Sequence, residues 1–122
     1  GVRSILCVSD FPTLHNSGFE SHRVSLKDGP GNPPEEILRA VGILADLHER
    51  HPAVLVHCAE GKSRSVMIVT LYLAKTRGMR FEEAFEMVKA QRPRAEVDYA
   101  LWDLGIALAH DETAPHVAAH LH

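Results

Sequence analysis

A cysteine and an arginine stand at the two ends of a short loop in the run HCAEGKSRS, from His57 to Ser65. The thiolate of Cys58 is a nucleophile, and the planar guanidinium of Arg64 can bind two oxygens of one phosphate. The apolar run before this segment is strand-like and the one after it is helix-like. Backbone N–H groups should therefore converge at a helix N-terminus, which favours an anionic ligand and a thiolate. This pattern predicts attack on a phosphate ester.

The segment between the cysteine and the arginine is the predicted phosphate-binding loop. Gly61 allows backbone to approach a ligand closely, and the hydroxyl of Ser65 can donate a hydrogen bond to the sulfur when it leaves. We expect Glu60 to point outward, because an inward carboxylate would repel phosphate. Lys62 either attracts anionic substrate flanks or is simply solvated. The predicted phosphate-binding residues are Ala59, Glu60, Gly61, Lys62, Ser63 and Arg64.

The run resembles the signature of the cysteine-dependent protein tyrosine phosphatases, His-Cys-x5-Arg-Ser/Thr, and especially that of their compact dual-specificity type. His57, Cys58, Arg64 and Ser65 match it, and Gly61 matches the family's glycine. Segments ILCVSD, SHRVSLKDGPGN and RGMRFEEAFEMVKAQRP also resemble family segments, so that roughly residues 1 to 105 can be aligned. The resemblance implies hydrolysis through a phosphocysteine intermediate without a metal or other cofactor. It also implies that His57 supports the position of the cysteine's backbone.

The resemblance further implies a general acid about thirty residues before the nucleophile, where Asp28 stands. A carboxylic acid there can protonate the leaving oxygen and then, as a carboxylate, activate the water that hydrolyses the thiophosphate. Its loop, DGPGNPP, is rich in turn-forming residues, which suits a segment that reaches over a pocket. Asp10 is the competing carboxylate, but Phe11-Pro12 follows it and favours a turn. The predicted catalytic residues are Cys58, Arg64, Asp28 and Ser65.

Alternating strand and helix patterns predict an α/β fold in which a small, mainly parallel sheet is flanked by helices. Asn32 before Pro33 is a typical N-cap signal for the first helix, whose apolar face holds Ile37, Ala40, Val41, Leu44 and Leu47. The predicted strands are Ser4 to Val8, His22 to Leu26 and Ala53 to His57. The predicted helices run from Asn32 to about His51, Ser63 to Thr76, Phe81 to Gln91 and about Val97 to His110.

Compared with the family it resembles, the chain is a natural minimal version, a fragment, or a domain in which the sheet edge beside Ala53 to Val56 is covered otherwise. Family members have two further strands before the equivalent of Gly1, and one of them flanks the strand that carries the nucleophile. An apolar edge at Ala53 to Val56 would invite pairing with another copy, which predicts weak self-association.

Cys7 is open to two interpretations. A lone cysteine on an apolar strand is usually a small core residue. Alternatively, its strand lies beside the strand before Cys58, and its thiol traps an oxidised Cys58 as a reversible disulfide.

The composition suits one catalytic domain over residues 1–110 and a flexible tail over residues 111–122. The chain has 122 residues, 45% of them apolar, and a net charge of −3, which argues against nucleic acid or an anionic membrane as a partner. No apolar run reaches the length of a membrane span, and a thiolate enzyme suits a reducing compartment, so we expect a cytoplasmic protein. The histidines (His48 and His51; His116, His120 and His122) lack partners at a metal-binding spacing.

Three classes of function fit the loop: an active phosphatase, a phosphate-binding module without turnover, and a rhodanese or arsenate-reductase-like enzyme. The retained nucleophile, arginine, hydroxyl and upstream aspartate favour the first. The short chain has no evident phosphotyrosine-recognition loop, so we expect a shallow cleft that accepts phosphotyrosine and also phosphoserine or phosphothreonine in a protein or peptide.

Overall fold

Three strands and four helices form an α/β fold in a computed structural model that describes residues 2–9, 18–58 and 63–110. The chain order is β1 (Ser4–Cys7), β2 (Glu20–Arg23), α1 (Pro34–Arg50), β3 (Val54–His57), α2 (Arg64–Arg77), α3 (Phe81–Gln91) and α4 (Tyr99–Ala109). The predicted α/β class is confirmed. Asp10, the loop at 59–62 and the predicted tail at 111–122 lie outside the described residues.

The three strands form a parallel sheet in the order β2-β1-β3. Ser4 pairs with Glu20 on one side and with Val54 on the other, and Cys7 pairs with His57. The predicted neighbourhood of β1 and β3 is therefore confirmed. Because carboxyl ends of parallel strands meet at one edge of a sheet, the residue that follows β3 emerges where ligands usually bind in α/β folds.

The second strand begins and ends earlier than predicted. The N–H of Glu20 donates to the carbonyl of Arg3 at 3.0 Å and that of Val24 to Cys7 at 2.9 Å, and the ladder stops there because β1 ends at Cys7. Val24 and Leu26 are buried beyond the ladder, so their apolar character reflects core packing rather than strand pairing.

Helix α1 buries the predicted face of Ile37, Ala40, Val41, Leu44 and Leu47 against the sheet and α2. Its predicted N-cap is wrong. Pro33 holds the cap position, no side chain bonds the free N–H groups, and Asn32 makes its hydrogen bonds in the preceding turn instead.

Helix α2 is the central helix of the core, because it contacts the other three helices and β3. Its C-cap is Gly78, whose φ of 63° lies in the left-handed region, which is typical of a glycine that ends a helix. Helix α4 starts two residues later than predicted because Asp98 caps it, accepting a hydrogen bond from the N–H of Ala100 at 3.0 Å. No helix within the described ranges is long and apolar enough to cross a bilayer.

Helix α4 is held against α3 by close aromatic packing. The ring of Trp102 makes edge-to-face contacts with Phe81 and Phe85, with centroids 4.9 and 5.1 Å apart. A Cβ at Gly105 would lie 2.5 Å from the Phe81 ring, so only glycine permits this approach. These contacts anchor α4 against α3 and thereby help to position the residues at its start.

Glu20 ties the start of β2 to the end of α1. Its carboxylate accepts two hydrogen bonds from Arg50, at 2.6 and 2.7 Å, and contacts His51 at 3.0 Å and His22 at 2.8 Å. The bonds from Arg50, followed by those from the two histidines, hold the pKa of Glu20 well below its ordinary value.

Glu20→Gln is expected to lower the urea midpoint of unfolding at neutral pH, because the amide loses the charged contacts. A carboxyl group whose pKa is lowered on folding stabilises the folded protein at pH values above its unfolded-state pKa. This stabilisation is lost as the pH falls through the folded-state pKa. The difference from the wild type should therefore shrink in acid, below about pH 4. Urea titrations across this range give the measurement, and Glu49→Gln, at an exposed carboxylate of the same helix end, is the control. A difference independent of pH would contradict the electrostatic explanation.

Candidate active site

Cys58 is held between the end of β3 and the first turn of α2. Its side chain is 8% exposed, and its sulfur lies 3.3 Å from the hydroxyl oxygen of Ser65 and 3.5 Å from the Ser65 backbone nitrogen, whose N–H donates to it. Ser65 is the second residue of α2, so this N–H belongs to the unpaired donors of a helix N-terminus. Both contacts and the helix dipole favour a negatively charged sulfur.

The guanidinium of Arg64 carries one buried N–H donor that has no acceptor among the described residues. Its Nη1 donates to the carbonyl of Leu26 at 3.1 Å, but its Nε is buried without a hydrogen-bond partner among the described residues. An unsatisfied buried donor on a charged group is costly. A phosphate oxygen would satisfy it, so the position next to Cys58 is suited to an anion.

Asp28 lies in a turn that is stabilised by hydrogen bonds of the Asn32 side chain. The Asn32 side chain accepts a hydrogen bond from Lys27 N at 2.8 Å, and it donates to the carbonyls of Lys27 at 2.7 Å and Gly29 at 3.2 Å. These bonds span Asp28 and fix its backbone. Asparagine commonly stabilises turns in this way, and an asparagine before a proline is an equally common helix-capping signal, so the sequence alone does not separate the two roles.

A cavity of about 460 Å³ brings these residues together. Four separate segments contribute to its wall: the turn after β2, the end of β3, the start of α2 and the segment before α4. The lining residues are Asp28, Cys58, Ser63, Arg64, Glu96, Val97, Asp98 and Tyr99.

The segment at 96–99 was not predicted to belong to the site. It joins the site through Asp98, whose N–H donates to the hydroxyl oxygen of Ser63 at 3.1 Å. The only sequence signal was an N-cap aspartate before an apolar helix, and that signal indicates helix formation rather than a ligand.

The structure describes some of the predicted site residues and leaves others outside its described ranges. Cys58, Arg64, Asp28 and Ser63 line one cavity, and Ser65 contacts the sulfur. His57 ends β3, where its carbonyl accepts a hydrogen bond from Val8 at 2.9 Å. The loop residues Ala59, Glu60, Gly61 and Lys62 lie outside the described residues, so their phosphate contacts, the outward position of Glu60 and the role of Lys62 stay predictions.

Cys7 is fully buried on β1, and its sulfur lies 3.5 Å from the hydroxyl of Ser9. Neither Cys7 nor Cys58 forms a disulfide in the described part of the chain. Cys7 pairs with His57 rather than with Cys58, and successive residues of a strand face opposite sides of a sheet, so a disulfide would require backbone movement. The redox role of Cys7 stays a prediction.

The described part of the cavity wall carries three carboxylate residues and one guanidinium: Asp28, Glu96, Asp98 and Arg64. The Asp98 carboxylate is engaged in capping α4. Within residues 2–9, 18–58 and 63–110, no group of three or more histidine, cysteine, aspartate or glutamate residues could hold a metal ion.

The chain is similar to known proteins over most of its length. The family described as "Dual specificity phosphatase, catalytic domain" matches residues 4–104. Dual specificity protein phosphatase 12 of Rattus norvegicus is 30% identical over 119 residues, which cover 91% of this chain and 35% of that protein. Dual specificity protein phosphatase 14 of Mus musculus is 33% identical over 106 residues, which cover 83% of this chain and 54% of that protein. The chain thus spans between a third and about half of these relatives.

Solved structures show the same architecture. Human DUSP28 is 29% identical with a TM-score of 0.81, and the match covers 89% of this chain and 78% of that chain. A mouse "putative dual specificity phosphatase complexed with zinc tungstate" is 27% identical with a TM-score of 0.84, covering 96% and 75%. DUSP15, at 21% identity and a TM-score of 0.86, covers 98% of this chain and 77% of its own and supports the fold alone.

Proposed function

Because this chain belongs to the dual specificity phosphatase catalytic domain family, we propose that it hydrolyses phosphate monoesters of tyrosine and of serine or threonine in proteins. The observation that carries the proposal is the shared cavity of Cys58, Arg64 and Asp28, in which a buried Arg64 donor has no partner within residues 2–9, 18–58 and 63–110. The cavity thus combines a nucleophile, an anion-binding group and a proton donor.

In the proposed first step, the Cys58 thiolate attacks phosphorus and the bond from phosphorus to the substrate oxygen breaks. Arg64 and the loop N–H groups hold the other phosphate oxygens, where charge accumulates in the transition state. Asp28 gives its proton to the departing oxygen, which leaves as an alcohol or phenol. The product is a phosphocysteine.

In the second step, water attacks the phosphocysteine and the bond from sulfur to phosphorus breaks. The Asp28 carboxylate takes the proton of the water, and the sulfur departs as a thiolate. The Ser65 hydroxyl, 3.3 Å from the sulfur, donates a hydrogen bond to the charge that develops there. Inorganic phosphate is released and the enzyme regains its starting state.

Asp28→Asn is expected to lower kcat on a phosphotyrosine peptide about 10²- to 10⁴-fold, the usual range for loss of general acid–base catalysis. Binding of the peptide should persist because the asparagine keeps the shape of the side chain. With p-nitrophenyl phosphate the loss should be smaller, because p-nitrophenolate leaves with less help. Steady-state kinetics on both substrates give the measurement.

The matched control is Asp103→Asn, because Asp103 is an aspartate of α4 that does not line the cavity. Wild-type rates for Asp28→Asn on the phosphotyrosine peptide would show that the acid lies elsewhere in the chain.

A panel assay tests the proposed function as a whole. Phosphotyrosine, phosphoserine and phosphothreonine peptides and a phosphoinositide are incubated with the protein in the presence of a metal chelator, and released phosphate is measured. We expect release from the peptides. Tight phosphate binding without release would favour a binding module, and thiosulfate or arsenate turnover in a parallel assay would favour the rhodanese-like or reductase-like alternative.

The reducing cytoplasm is the compartment we propose, because it keeps the sulfur of Cys58 reduced.

The outer edge of β3 supports the proposal of weak self-association. No described strand pairs with this edge, and Leu55 is 46% exposed. An apolar groove of about 210 Å³ runs beside it. Its lining includes Val54, Val56, Val66 and Val69. An open strand edge next to apolar side chains is a typical site for pairing with a second copy.

Leu55→Lys is expected to reduce the dimer fraction, because a lysine on an edge strand opposes strand pairing. Light scattering over a concentration series measures the change, and Val2→Lys, at another exposed apolar residue outside the groove, is the control. A wild-type protein that stays monomeric at the highest concentration would remove the proposal.

A further inference from the structure

Tyr99 is an aromatic side chain at the mouth of the cavity that is not used in the packing of the protein. It is 88% exposed, although it lines the same cavity as Cys58 and Arg64. Two other aromatic residues near α4, Phe81 and Trp102, pack edge to face. Burial of an aromatic ring is strongly favourable, so a ring left in water beside a binding cavity is available to a ligand.

The backbone next to Tyr99 is anchored to the start of α2. It is the first residue of α4 and directly follows Asp98, whose N–H donates to Ser63 at 3.1 Å. The Asp98 carboxylate accepts from Ala100 at 3.0 Å, and its carbonyl accepts from Trp102 at 2.8 Å. The backbone that carries the ring is therefore hydrogen-bonded, through Asp98, to Ser63, the residue before Arg64. The ring projects from this anchored segment.

Val97 and Tyr99 give the cavity an apolar side. Val97 is half-buried and packs against the core, while Tyr99 extends into solvent. The other described lining residues are polar or charged, apart from the nucleophilic Cys58. A substrate whose phosphate sits at the sulfur would meet this apolar side with the group that carries the phosphate.

We propose that Tyr99 is a specificity-determining residue that packs against the ring of phosphotyrosine and favours aryl over alkyl phosphates. This inference rests on the proposed phosphatase function. With phosphorus at the sulfur, a phosphoserine or phosphothreonine side chain offers at most a methyl group to the rim. A phosphotyrosine offers a whole ring, which can stack on Tyr99 or meet it edge to face.

Two variants separate the ring from the hydroxyl: Tyr99→Ala removes both, whereas Tyr99→Phe keeps the ring. The measured quantity is the ratio of kcat/KM for a phosphotyrosine peptide to that for a phosphothreonine peptide of the same sequence. We expect Tyr99→Ala to lower this ratio about three- to tenfold, as for loss of one aromatic pair. Tyr99→Phe should keep the wild-type ratio. An equal change on both peptides would overturn the inference.

Calorimetry with non-hydrolysable ligands tests the same inference without turnover. Phenylphosphonate should bind the wild-type protein more tightly than methylphosphonate, and Tyr99→Ala should reduce this difference about three- to tenfold. Wild-type protein that binds both ligands but releases no phosphate from any peptide would refute the proposed function and leave Tyr99 tested by binding alone. An unchanged preference for phenylphosphonate in Tyr99→Ala would overturn the role of Tyr99, whatever the activity.

Discussion

Cys58→Ser is expected to abolish turnover on every phosphate ester while phosphate binding persists. A serine hydroxyl is almost fully protonated near neutral pH and is a far weaker nucleophile than a thiolate, so the phosphocysteine cannot form. The oxygen is smaller than sulfur, so the fold and the Arg64 guanidinium should stay in place. Phosphate release should fall at least about 10⁴-fold, to the assay background.

Two measurements define the result for Cys58→Ser. Phosphate release is followed with p-nitrophenyl phosphate, and binding of inorganic phosphate is followed by calorimetry. Cys7→Ser is the matched control, because this second buried cysteine does not line the cavity. Turnover by Cys58→Ser above background would show that another residue attacks phosphorus, and the proposed mechanism would fail.

Arg64→Lys is expected to lower kcat/KM about 10²- to 10³-fold, comparable to the loss of one donor that stabilises transition-state charge. Lysine keeps the positive charge but lacks the planar pair of donors that can bind two phosphate oxygens. It also cannot reproduce the buried Nε donor, which has no partner among the residues that the structure describes, or the bond to Leu26 in the same geometry. Both phosphate affinity and kcat should therefore decrease.

The control for this variant is Arg94→Lys, at an exposed arginine outside the cavity lining. Steady-state kinetics and phosphate calorimetry are compared for the two lysine variants. Equal activity of Arg64→Lys and the wild type would mean that positive charge alone suffices and that the guanidinium geometry is irrelevant.

The sequence alone predicts the elements that are specified by a local residue pattern with a single interpretation. Helix α1 has a clean apolar face, and Gly78 stops α2 in the left-handed conformation. The second strand was misplaced because Val24 and Leu26 read as strand, although β1 has already ended opposite Arg23. Apolar residues mark burial in both strands and loops, so their pattern alone cannot show where hydrogen-bonded pairing stops.

The site was predictable where one contiguous motif carries it. Cys58, Arg64 and Ser65 belong to one strand-loop-helix segment, and the structure places all three at one point. Tyr99 and Val97 could not be placed at the site, because their contact with it depends on how α4 packs across α2 and α3. Asn32 carried a true turn signal that competed with an equally good capping signal.

The hydrogen bond from Arg64 to the Leu26 carbonyl connects the start of α2 to the segment that leads into the turn at Asp28. Leu26 lies two residues before Asp28, the proposed proton donor, so a ligand that reorients Arg64 should also change the anchoring of the chain that carries Asp28. Thermodynamic coupling of this kind is reciprocal. A substitution that merely loosens the turn around Asp28 should then weaken affinity for inorganic phosphate, an ion with no leaving group to protonate.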